Sequence, residues 1–229
     1  MTEYIVKVNE VTDENGKTRG LASVILGGSL EVTGISILQN AQTGEYFVSM
    51  PKYRSKNVDD EGNAVYKEVC NPITAEFREK LYGGIIDAYK DLKAGKKPDN
   101  TTISPSDMNL NVRVSMVDNK ESKCKAVASV YINDEFVINN VAVMYGKNGL
   151  FVSNPSYKSR KLDEFGNPVY KNYCLPVTKE FKEKFNNTVV GKYSEVAKAG
   201  KEPVDNVDKV ADTSDKSRGK SNRKKNHSR

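Results

Sequence analysis

Lys52, Tyr53, Arg54, Ser55 and Lys56 place three cations, a ring and a hydroxyl in five consecutive positions, and Tyr157, Lys158, Ser159, Arg160 and Lys161 repeat that mixture later in the chain. Cations neutralise phosphates, hydroxyls donate to phosphate oxygens, and tyrosine rings stack on exposed bases, so both clusters suit a nucleic-acid backbone. A third cationic run closes the sequence. From residue 216 onward KSRGKSNRKKNHSR, with Arg223, Lys224 and Lys225 at its centre, holds seven Lys or Arg and no acid. The net charge of +6 therefore belongs to this tail, and the rest of the chain sums to −1. Plainer readings stand beside these. Asp59, Asp60 and Glu61, or Asp163 and Glu164, follow the clusters and offset their field, as on any solvated hairpin. The tail also suits a solubilising end, and Tyr53 and Tyr157 suit packing against a sheet as well as stacking on bases.

Catalysis has little to work with. The single histidine, His227, lies in the tail, where no fixed geometry surrounds it, and acid–base chemistry requires geometry first. No GxSxG, glycine-rich phosphate loop, HExxH or metal-ligand cluster occurs, so no enzyme, cofactor or metal site is expected. Cys70 and Cys174 have no base beside them in sequence and read as small core residues. Three cysteines with neither CxxC spacing nor a disulfide framework suit a reducing compartment. No segment approaches the ~18 apolar residues of a membrane span and MTEYIVKVNE is no signal region, so a cytoplasmic location is expected.

The elements that position these groups come in duplicate. Residues 47–80 recur at 151–184 with a constant offset of 104, pairing Phe47/Phe151, Tyr53/Tyr157, Tyr66/Tyr170, Cys70/Cys174 and Pro72/Pro176. One long unit copied once implies two similar small domains rather than a solenoid. The expected boundaries are 1–96 for the first, 97–108 for a flexible linker, 109–201 for the second and 202–229 for a disordered tail. Each copy reads as four or five short strands, with a polar loop of about a dozen residues after the fourth, then one helix. Thr74 and Thr178 are the N-caps, Phe77, Leu81, Ile85 and Tyr89 or Phe181, Phe185 and Val189 form the apolar stripes, and Gly95 and Gly200 suit left-handed ends. The fold class is α+β: two antiparallel meanders, each closed by a C-terminal amphipathic helix.

As an ordered series, KAVASVYINDEFVINNVAVMYGKNGLFVSNPSYKS followed by YKNYCLPVTKEFKEKF resembles the SpoVG (stage V sporulation protein G, or septation protein) family, and the first copy follows the same pattern with a longer turn at Thr43-Gly44-Glu45. The resemblance covers about 5–96 and 110–201. It implies a small non-enzymatic domain that dimerises through its sheet and binds DNA, in some members RNA, as a regulator of division, sporulation or gene expression. It places nucleic-acid contacts on basic residues toward the C-terminal part of the domain, near the two clusters. Together with the charge reading above, the expected contacts are Lys52, Tyr53, Arg54, Lys56, Tyr157, Lys158, Arg160 and Lys161, with Arg223, Lys224 and Lys225 of the tail assisting. The two copies would pair within one chain, or the chain would form a homodimer. A competing class is a protein-interaction module that recruits a partner along an exposed sheet edge.

Overall fold

Alternation sets the first sheet. In β2 (Thr18–Leu26) Gly20, Ala22, Val24 and Leu26 are buried while Leu21, Ser23 and Ile25 face outward, the period-two pattern of a strand covered on one side. β1 (Tyr4–Glu10), β2, β3 (Leu30–Gln39) and β4 (Tyr46–Ser49) form an antiparallel meander. β8 (Leu110–Met116), β9 (Cys124–Ile132), β10 (Phe136–Gly146) and β11 (Gly149–Ser153) repeat it. The computed structural model describes residues 1–11, 16–96, 102–118 and 121–200. The side chains of Lys56 and Arg160, and all of Arg223, Lys224 and Lys225, lie outside the described residues.

The third strand of each sheet changes phase midway. Leu30 and Val32 point into the core, as do Ile35 and Ile37, so one residue too many lies between the two pairs. Gly34, at φ 77°, absorbs it as a bulge, and Asn140, at φ 59°, does the same between Ile138 and Val141. The bulge divides the strand's outer edge. Beyond it Ser36–Gln39 pair with β4 of the same half.

Before the bulge the partner comes from the other half. β14 (Cys174–Pro176) lies antiparallel to Leu30–Val32 of β3, and β7 (Cys70–Pro72) lies antiparallel to Phe136–Ile138 of β10. Matching backbone bonds flank both exchanges. Thr33 N–H donates to Tyr173 O (2.8 Å) and Asn139 N–H to Val69 O (2.7 Å), while Val177 N–H reaches Ser29 O and Ile73 N–H reaches Glu135 O, both at 2.8 Å. Pro72 and Pro176 end these strands, as their missing N–H requires.

Each exchanged strand leads into a helix that returns to its own sheet. α1 (Ala75–Lys93) starts at Thr74, whose hydroxyl oxygen accepts the Phe77 N–H (3.3 Å), and α2 (Lys179–Ala199) starts likewise at Thr178 on Phe181. Phe77, Leu81, Ile85 and Tyr89 bury one stripe of α1 against β1 and β4, each contributing about 1.5–3 kcal/mol if fully removed from water. Phe181, Phe185 and Val189 do so for α2. The Gly83-Gly84 pair does not interrupt α1: a Cβ on Gly84 would meet the Tyr4 hydroxyl oxygen at 2.6 Å, and that hydroxyl donates to Lys80 O (2.7 Å). Gly95 takes the left-handed end expected of it (φ 74°), whereas Gly200 stays right-handed at φ −73° and breaks that expectation.

The result is α+β in both halves, with one buried cluster that runs through the two. Cys70 and Cys174 open the two exchanged strands, and both are buried. A hydrogen bond with Cys174 and loss of solvent together push the Cys70 thiol well above its ordinary pKa. The described part of the connection, 102–108, is tied down. Ser106 N–H donates to Gly27 O (3.0 Å), Met108 is wholly buried, and a Cβ on Gly28 would come within 2.6 Å of Ile103 O. At the matching place Thr2 donates through its N–H and its hydroxyl to Glu135 Oε2, both at 2.7 Å. Burial raises the Glu135 pKa, but the bonds from Thr2 and the N-terminal ammonium of Met1 together outweigh it and hold this carboxyl below its usual range.

Candidate nucleic-acid interface

The polar loop expected after the fourth strand is a hairpin in each half. Lys52–Val58 forms β5 and pairs with β6 (Ala64–Glu68), while Ser156–Leu162 forms β12 and pairs with β13 (Pro168–Asn172). Each hairpin is a two-stranded sheet of its own, off the main sheets. Its tip is built on an aspartate. Asp59 Oδ1 accepts the N–H groups of Asn63 (2.7 Å) and Glu61 (3.0 Å), and Asp163 Oδ1 those of Asn167 (2.7 Å) and Phe165 (2.9 Å). These backbone donors, led by Asn63 and Asn167, lower both carboxyl pKa values, and Gly62 and Gly166 supply the positive φ of the turn.

A strand places alternate residues on opposite faces. Arg54 stands directly opposite Tyr66, and Lys158 directly opposite Tyr170, so each hairpin carries a cation and a tyrosine side by side on one face. Lys52, Arg54, Lys158 and Lys161 are exposed, and among the described residues none of the four makes an ion pair. The backbones of Lys56 and Arg160 continue the same strands.

Tyr53 and Tyr157 occupy the opposite face, across from Lys67 and Lys171, and both are half-buried. Tyr157 packs on Tyr173 with ring centroids 4.7 Å apart. Tyr173 in turn borders the Gly34 bulge, where an added Cβ would lie 3.2 Å from its ring and 3.6 Å from Pro51 Cβ. The base of the second hairpin therefore meets the base of the first. Tyr157 roots its arm in the body, while the outward rings on the strands are Tyr66 and Tyr170, at 62% and 64% exposure, and Phe165 stands out at the second tip. The sequence alone does not single Tyr66 and Tyr170 out as site residues. Their signal was present in the repeat, since they match at the 104-residue offset, but only the hairpin register sets them opposite the cations.

Two hairpin arms on a strand-exchanged α+β body define a two-fold-like scaffold with cationic projections. The SpoVG family model matches residues 1–91 and again 108–195, and the chain belongs to that family. It is similar to the SpoVG septation protein of Finegoldia magna, at 36% identity over 84 residues that cover 37% of this chain and 71% of the relative. The corresponding protein of Agathobacter rectalis is 34% identical, covering 36% of this chain and 86% of its own length, and that of Lachnoclostridium phytofermentans is 34% identical, covering 39% and 88%. Each relative thus corresponds to about one half of this chain. No helix among the described residues is long and apolar enough to cross a membrane.

Proposed function

We propose that this chain is a non-enzymatic nucleic-acid-binding regulator of the septation or sporulation type, acting in the cytoplasm, in which the two halves of one chain take the place of a homodimer. The observation that supports it most is that, among the described residues, Arg54 and Lys158 stand exposed and outside any ion pair at equivalent points of the two projecting hairpins. Lys52, Arg54, Lys56, Lys158, Arg160 and Lys161 neutralise phosphates, and Arg223, Lys224 and Lys225 add sequence-independent attraction. The acidic tips keep the phosphate backbone toward the bases and middles of the arms.

Binding driven by counterion release falls steeply with salt. A fluorescence-anisotropy titration of duplex DNA, single-stranded DNA and RNA is expected to lose on the order of a thousandfold in affinity between about 50 and 200 mM salt if six or more phosphates are contacted. Affinity that does not change with salt contradicts the reading. The other reading, a protein-interaction module, is favoured by Phe47 and Phe151, which are exposed at matching places on the outer sheet faces. Partner capture that survives nuclease treatment unchanged would support it instead.

A further inference from the structure

We infer that the arms prefer single-stranded nucleic acid and hold it by stacking bases on Tyr66 and Tyr170, an inference that rests on the nucleic-acid reading above and narrows its ligand. Both rings are more than half exposed, at positions related by the repeat. Among the described residues neither ring stacks on another, neither hydroxyl has a hydrogen-bond partner, and the one cation seated over a ring is Arg113 on Tyr131. A large ring held mostly in water at both copies and stacked on no other ring is available for a ligand.

The neighbour of each ring specifies that ligand. A nucleotide carries a phosphate and a base on opposite sides of one sugar, and Arg54 beside Tyr66, like Lys158 beside Tyr170, offers one group for each. Bases in a duplex are already stacked and present only their edges, so a flat exposed ring gains nothing there. In a single strand both faces of every base are open, and stacking tolerates any sequence. The tyrosines on the other faces, Tyr53 and Tyr157, are half-buried and Tyr157 is already stacked on Tyr173. The exposed ring of Phe165 at the second tip has Glu61 in its place on the first arm, so the exposed rings common to both arms are Tyr66 and Tyr170. Because the arms share a root near Gly34, one strand that reaches both is held at two points on one body, and the second contact forms at high effective concentration.

The test is an anisotropy titration of the full chain with a labelled oligothymidylate of about 20 nucleotides, longer than one stacking site needs, and with a mixed-sequence duplex of equal length. Three proteins are compared: wild type, Tyr66→Ala/Tyr170→Ala and Tyr66→Phe/Tyr170→Phe. Alanine is expected to weaken single-strand binding by at least about tenfold. Duplex affinity and the salt slope should stay within about twofold of wild type, because no charge is removed. Phenylalanine should bind the single strand like wild type, since the ring remains. Unchanged single-strand binding by the alanine variant, or an equal loss on both ligands, overturns the stacking inference and leaves the cationic reading intact. Wild-type protein that binds neither ligand at low salt overturns both.

Discussion

Phe136→Ala is expected to destabilise the protein by about 3–5 kcal/mol, the usual range for deleting a buried phenylalanine. Phe136 is 1% exposed and starts β10, where it pairs with Ile132 of its own half and with Pro72 of the exchanged β7. Its ring lies where the two halves join, so the cavity weakens both. For a protein of this size each kcal/mol lowers Tm by roughly 2–4 °C, giving a fall of roughly 10 °C. Thermal unfolding followed by circular dichroism should show that fall as one transition. Two transitions, with only one displaced, would mean that the halves unfold independently. Val177→Ala, at an exposed site, is the control and should cost less than about 1 kcal/mol.

Changing Lys52, Arg54, Lys56, Lys158, Arg160 and Lys161 together to Ser is expected to flatten the salt dependence of duplex binding by up to about five units of slope, at about 0.9 per phosphate released from its counterions. Affinity at about 50 mM salt should drop at least a hundredfold, on the order of what several lost phosphate contacts cost. Stability should hardly move, because the four cations whose side chains are described are exposed and make no ion pair. Paired titrations and melting curves on one preparation check both halves of the statement. Should the six substitutions leave binding intact while removal of residues 216–229 abolishes it, the arms are not the interface.

Much of the scaffold is legible in the sequence alone. The Thr74 and Thr178 caps and the four-residue spacing of Phe77, Leu81, Ile85 and Tyr89 are local signals, and local signals survive in one sequence. The exchange of β7 and β14 is not local. Since the two copies are alike, nothing in Cys70–Pro72 itself distinguishes β10 from β3 as its partner, and the strand pairs with β10. The arms were hidden for another reason. Lys52–Val58 lacks apolar alternation, because a two-stranded arm off the main sheet buries little on either face, and it therefore reads as a loop. That is also why Tyr53 and Tyr157 stood out as neighbours of the cations in sequence, whereas Tyr66 and Tyr170 are their neighbours in space.

That one chain supplies both halves of the unit is tested most directly by its mass in solution. Static light scattering on the size-exclusion peak, at micromolar concentration and moderate salt, should give 25.5 kDa, the mass of a single chain whose exchanged strands are satisfied internally. A mass of twice that value, held on dilution, would mean that β7 and β14 find their partners in a second molecule and that the halves do not complete each other.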